Sequence, residues 1–146
     1  MKTYTTFPRA PIVEAILDIQ VEPVTGMSIE QIGTFFDQVK ERFPNKEMRH
    51  KGEAVIRMSP QGPSLDEPTL QPIGYLFRSL HEKKAVQARI DGYTFNKFTP
   101  YDNWNVFSIE ARELWQRYVE IAVPRKLKRL GLRYINRIEI PLPIKD

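Results

Sequence analysis

Two long stretches alternate apolar and polar residues with a period of two. In Ile12–Glu22 (IVEAILDIQVE), Val13, Ala15, Leu17, Ile19 and Val21 fall on one side, with Ile12, Glu14, Ile16, Asp18 and Gln20 on the other. In Leu130–Ile140 (LGLRYINRIEI) the even positions are apolar except Asn136, and the odd ones polar except Gly131 and Ile135. Such alternation marks a strand with one face buried. Each run is about twice the usual ~5–6 residues, long enough to cross a whole sheet.

Between them the period changes. Ser28 followed by Gln31 is a capping-box pattern, and Ile32, Phe35, Phe36, Val39 and Phe43 form a helical stripe that Pro44 ends. Met48–Met58 reads as a weaker strand, with Gly52 marking a bulge. Ser59–Gly74 holds Pro60, Pro63, Pro68 and Pro72, and reads as a long mobile surface loop. Tyr75–Leu80 and Ala85–Ile90 form a hairpin, Asp91-Gly92 is a tight turn or a bulge, and Tyr93–Phe98 is strand. Asp102 or Asn103 caps a second helix, Trp104–Val123, with the stripe Trp104, Phe107, Ala111, Leu114, Trp115, Tyr118 and Ala122 before Pro124. The order β-α-β-β-β(-β)-α-β predicts an α+β two-layer sandwich: a mainly antiparallel sheet with two amphipathic helices on one face.

Composition narrows this to one domain, 1–146, since 146 residues is close to the common size of ~100–150. The chain has no cysteine, which excludes disulfides and thiolate metal sites and fits a reducing, cytoplasmic setting. Its first residues, MKTYTTFPRAP, lack the apolar core of a secretory signal, and charges interrupt every apolar run before the ~18 residues of a membrane span. The net charge of +4 is too small to imply nucleic acid by itself.

Three pieces, PIVEAILDIQVEP, YDNWNVF and LGLRYINRIEIPLP, together resemble a sporadically distributed family of uncharacterised bacterial and archaeal proteins. That family's Pro-Pro-[IV]-Val-Glu-Ala strand, Tyr-x-x-Trp helix entry and Gly-Leu-Arg-Tyr-Ile-Asn-Arg-Ile strand correspond to Pro11–Ala15, Tyr101–Trp104 and Gly131–Ile138, with Ala10 in place of the first proline. The resemblance implies that the chain matches an N-terminal part of longer relatives. It implies no established activity.

Candidate chemistry is sparse. His50 and His81 sit in no ligand-spaced motif, and no glycine pattern cradles a phosphate, so neither metal nor cofactor is expected. No Ser/His/Asp arrangement can be drawn, and Glu110 and Glu113 beside Arg112 and Arg117 read as surface pairing. Tyr93, Phe95, Tyr101 and Trp104 form a candidate aromatic pocket for a base or sugar, although a core corner needs the same large fillers. Arg125–Arg137 carries six basic residues and no acid, whereas Glu14–Glu41 carries six acids and one Lys. The basic strip allows a nucleic-acid partner without favouring it.

The outer faces of the two long strands read acid–Ile–acid (Glu14, Ile16, Asp18) and base–Ile–base (Arg133, Ile135, Arg137). Laid side by side they match charge to charge, leaving Ile16 and Ile135 as an apolar stripe for a second subunit or a C-terminal partner domain. Asn136 is expected inward, with its amide satisfied by a neighbouring backbone. Together these features favour a non-enzymatic interaction domain, probed first by light scattering for a homo-oligomer. The alternatives are a nucleic-acid-associated protein of a mobile-element or defence system, and an enzyme or binder for a small aromatic or phosphorylated ligand.

Overall fold

β1 (Ile12–Glu22) is paired along both edges, antiparallel to β7 (Gly92–Phe98) on one side and to β8 (Lys126–Asn136) on the other. β2 (Asn45–Glu53), β5 (Thr69–Arg78) and β6 (Lys84–Arg89) complete a six-stranded sheet in the order β2-β5-β6-β7-β1-β8, antiparallel throughout. β3 (Ile56–Ser59) and β4 (Gly62–Leu65) form a separate hairpin. The computed structural model describes residues 5, 7–53, 56–67 and 69–142. Two helical segments cover one face of the sheet: α1 (Ile29–Gly33) continuing into α2 (Phe35–Val39), and α3 (Trp104–Ala122). This is the expected α+β sandwich.

The period-two rows explain the core. Ala15, Ile19 and Val21 of β1 lie on the helix side with Tyr93 and Phe95 of β7, Val86 and Ala88 of β6, and Phe77 of β5. From the helices they meet the stripe Ile32, Phe35, Val39 and Phe43, and on α3 Phe107, Ala111, Leu114 and Tyr118. Burying each large side chain contributes about 1.5–3 kcal/mol over leaving it exposed. The two buried phenols stay satisfied: Tyr93 Oη donates to the Ala111 carbonyl at 2.9 Å and Tyr118 Oη to the Arg89 carbonyl at 2.8 Å. Burial pushes both hydroxyls well above the usual tyrosine range, so they remain donors. Arg42 ties the first helical layer to α3, donating to Glu113 at 2.9 and 3.1 Å. Desolvation pushes the Glu113 carboxyl up, but its hydrogen bonds from Arg117 and Arg42 win and hold it below the ordinary range.

The expected first helix is broken once. Ser28 makes its capping box with Gln31, but the Thr34 hydroxyl donates back to the Gln31 carbonyl at 2.6 Å and separates the two short helices. The apolar stripe survives the break. Asn103 caps α3, accepting from the Val106 N–H at 3.0 Å, and the two-residue Ile90-Asp91 link makes β6–β7 a tight hairpin.

Three expectations are corrected. Residues 59–74 are not a structureless loop: they hold β4 and the first part of β5. Its prolines occupy places a ribbon tolerates, with Pro63 in the separate hairpin and Pro72 beside the β2–β5 irregularity. Pro68 and residues 54–55 lie outside the described residues. That irregularity falls between Arg49 and His50, where Ile73 is left over on β5, while Gly52 is in register with Leu70. The last strand is Lys126–Asn136 and not residues 130–140. Its first pair, Glu22–Lys126, uses the end of β1, and after the bond from Arg137 N to Pro11 O there is no more β1 to pair with.

The β3–β4 hairpin packs chiefly on itself, and Ile56, Met58 and Leu65 are all exposed. Replacing residues 56–67 with a short Gly-Ser link should therefore leave the melting temperature within about 2–4 °C of the parent, since loop-closure cost rises slowly with length. A larger drop by calorimetry would show that the hairpin supports the sheet.

Candidate interaction surface

β8 is an edge strand. Antiparallel pairing with β1 sets Tyr134 opposite Ala15, Leu132 opposite Leu17 and Leu130 opposite Ile19, so these side chains face the helix side. A register shift after Gln20 brings Leu127 opposite Val21 and onto the same side. In β1 that row is core. In β8 it is open: Leu127 is 52%, Leu130 62% and Leu132 45% exposed. Of the apolar β8 side chains, Tyr134 alone packs against the core. The reason is the reach of the helix layer, which covers the middle strands and stops short of β8. The opposite edge, β2, is built differently, with Lys46, Glu47, Arg49, His50 and Lys51 along an exposed strand. Such charges are the usual protection of an edge against unwanted pairing.

At one end of the open row lies a hollow of about 410 Å3 lined by Phe7, Ile12, Tyr101, Trp104, Leu132 and Tyr134, among others. The Tyr101 and Tyr134 hydroxyls are 3.1 Å apart and their rings meet edge-on at 5.5 Å. Burial first, and then the bond to Tyr134, raise the Tyr101 hydroxyl well above the usual range. Tyr101 and Trp104, half of the residues expected in an aromatic pocket, thus line this hollow. The other half is corrected: Tyr93 and Phe95 are fully buried fillers, Phe95 lying 5.2 Å from Phe107, because helix-side positions of a central strand face α3.

The face of the sheet away from the helices brings β1 and β8 together as neighbours, as the matched outer faces predict, but two residues out of that register. Glu14 is opposite Ile135, Ile16 opposite Arg133 and Asp18 opposite Gly131. The acids turn instead toward the inner strands. Glu14 Oε1 accepts from Asn96 at 2.7 Å, and Asp18 Oδ1 accepts from Thr94 at 2.6 Å and Arg89 at 3.3 Å. Asn96 Oδ1 is buried without a partner among the described residues. Arg137 pairs with Glu139 at 2.7 Å. The expected pairing of Arg133 and Arg137 with Glu14 and Asp18 is therefore absent, because register sets Gly131 and Ile135 where the cations were needed.

Ile16 is only 7% exposed, so the outer apolar stripe shrinks to Ile135 at 39%. Asn136 is exposed at the end of β8, opposite Ile12, with no side-chain bond among the described residues. Its expected buried role does not hold, because the helix layer does not reach it.

Of the basic strip, Arg125 pairs with Glu22 at 3.7 Å. Lys126, Lys128, Arg129 and Arg133, all exposed on β8, have no ion-pair partner among the described residues. Among those residues there is no cluster of three or more metal-ligating side chains, and no helix is long and apolar enough to cross a membrane. His50 is exposed on β2 and His81 sits in a turn at φ 67°.

Leu127, Leu130 and Leu132 were not singled out by the sequence. Alternation shows which way Leu130 and Leu132 face, Leu127 joins them only through the register shift, and nothing local shows whether a helix lies above them. No protein-family model, curated protein or solved structure matches the chain.

Proposed function

We propose that this chain is a non-enzymatic interaction domain that works through the β8 edge, with a second copy or a partner domain as its counterpart. One observation carries the reading: three leucines on the side of the sheet that is core elsewhere stand 45–62% exposed along a strand whose outer edge pairs with no other strand among the described residues. Contiguous apolar surface of this kind, rimmed by charge, is characteristic of an interface. The hollow beside Trp104 and Tyr134 extends the same surface and suits an apolar anchor.

The four cations of β8 that have no ion-pair partner among the described residues favour a second reading, in which a nucleic-acid backbone lies along the strand. They are interspersed with the leucines, which a phosphate backbone has no use for, and Glu14 and Asp18 share the open face with Arg129 and Arg133. Salt-dependent retention on a single-stranded oligonucleotide that is lost in Arg129→Glu/Arg133→Glu is the result that reading requires.

Leu130→Lys/Leu132→Lys tests the first reading directly. These side chains are largely exposed, so the double variant should melt within about 2–4 °C of the parent and be more soluble. If it unfolds, the leucines belong to the domain's own core and the interaction reading is wrong.

A further inference from the structure

We infer that the occupant of the β8 edge is an extended strand of another polypeptide, alternately apolar and acidic, and that a second copy of β8 is not the occupant. The inference rests on the interaction reading above and names the partner's chemistry. β8 offers eleven residues of strand with β1 bonded along one edge and, among the described residues, no strand along the other. Backbone N–H and C=O groups on that free edge are a template for a further strand.

Side chains then select which strand. On the helix side an added strand meets Leu127, Leu130, Leu132 and the hollow beside Tyr134, which call for apolar residues at alternate positions. On the other face it meets Arg129 and Arg133. The nearest acids, Glu14 and Asp18, are already bonded to Asn96, Thr94 and Arg89. Carboxylates at the intervening positions of the added strand would satisfy both arginines.

The same arginines argue against self-pairing. An antiparallel twofold centred on Gly131 sets Arg129 directly opposite Arg133 of the second copy. Centring it on Leu130 or Leu132 leaves an arginine diagonal to its own counterpart on the same face. Like charges so placed are destabilising. The molecule already contains one strand of the favoured kind on the other edge of β8: β1 presents an apolar row on the helix side and Glu14, Ile16 and Asp18 behind it.

That strand supplies the probe. A fluorescein-labelled peptide with the sequence of Ile12–Glu22 is titrated with the whole chain, beside a control carrying Lys at the three acidic positions. The acidic peptide is expected to bind, with the lysine control at least about tenfold weaker. Arg129→Glu/Arg133→Glu should weaken the acidic peptide by about tenfold, and Leu130→Lys/Leu132→Lys should abolish its binding. Amide shifts should fall on β8 and not on β7.

Equal affinity for both peptides, or no binding of either, overturns the inference. So do shifts on β7, which would mean that the peptide displaces β1. Light scattering that finds a dimer lost in Leu130→Lys/Leu132→Lys overturns it as well, but leaves the interaction reading standing. Unfolding of that variant removes the interaction reading itself.

Discussion

Gly74→Val should yield little or no folded protein by circular dichroism, and Gly74→Ala a protein weakened by roughly 3 kcal/mol or more, at or beyond the top of the usual overpacking range. Gly74 sits in β5 opposite Arg89, at φ 158°, where a Cβ would collide with the Ala88 carbonyl oxygen and lie 2.6 Å from Arg89 Cα. Both obstacles are backbone atoms of the neighbouring strand, so no side-chain rotation relieves them. Gly52→Ala is the matched control. Its Cβ would meet only the Leu70 side chain, at 3.4 Å, and should cost under about 1 kcal/mol. Equal melting temperatures for Gly74→Ala and the parent would refute the close approach of β5 and β6.

Phe77→Ala should cost about 3–5 kcal/mol in chemical denaturation. Phe77 is fully buried in the middle of β5, with ring centroids of Phe35 at 5.6 Å, Phe36 at 5.7 Å and Tyr75 at 6.1 Å. Its removal leaves a cavity between strand and helix that rigid aromatic neighbours cannot fill, and the α1–α2 layer loses its main support. Against a typical total of about 5–15 kcal/mol, such a loss leaves the domain marginal at 37 °C. A cost below about 1 kcal/mol would mean that the first helical layer is not seated on β5 as described.

How much of this was legible in the sequence depends on the range over which each feature is determined. Alternation in residues 12–22 and the stripe from Trp104 to Ala122 encode burial locally, so the strand, the helix and their faces could be read directly. The Ser28 and Asn103 caps are equally local. What the sequence could not show was set by partners far along the chain. Prolines at 63 and 72 look like loop punctuation until the pairing that β3 and β2 respectively provide is known. The match of Glu14 and Asp18 to Arg133 and Arg137 was right about the neighbours and wrong by two residues. Register there follows where β1 begins and ends, and Thr94, Arg89 and Asn96 compete for the acids from the other side. The exposed face of β8 depends on where α3 ends up across the sheet, which no residue of β8 records.

The pairing of β1 with β8 also fixes an order of events. More than a hundred residues separate Glu22 from its partner Lys126, whereas β5, β6 and β7 are joined by short links and can pair as soon as they are made. Closing so long a loop is entropically slow compared with forming hairpins, and β8 follows the other strands in synthesis. Until it arrives, β1 is the sheet's boundary, and its Leu17 and Ile19 have Phe95 and Tyr93 as cross-strand neighbours on one side only. A nascent chain therefore passes through a stage in which its most apolar strand is an open edge. That stage, more than the finished fold, is where chaperone dependence or misassembly would arise.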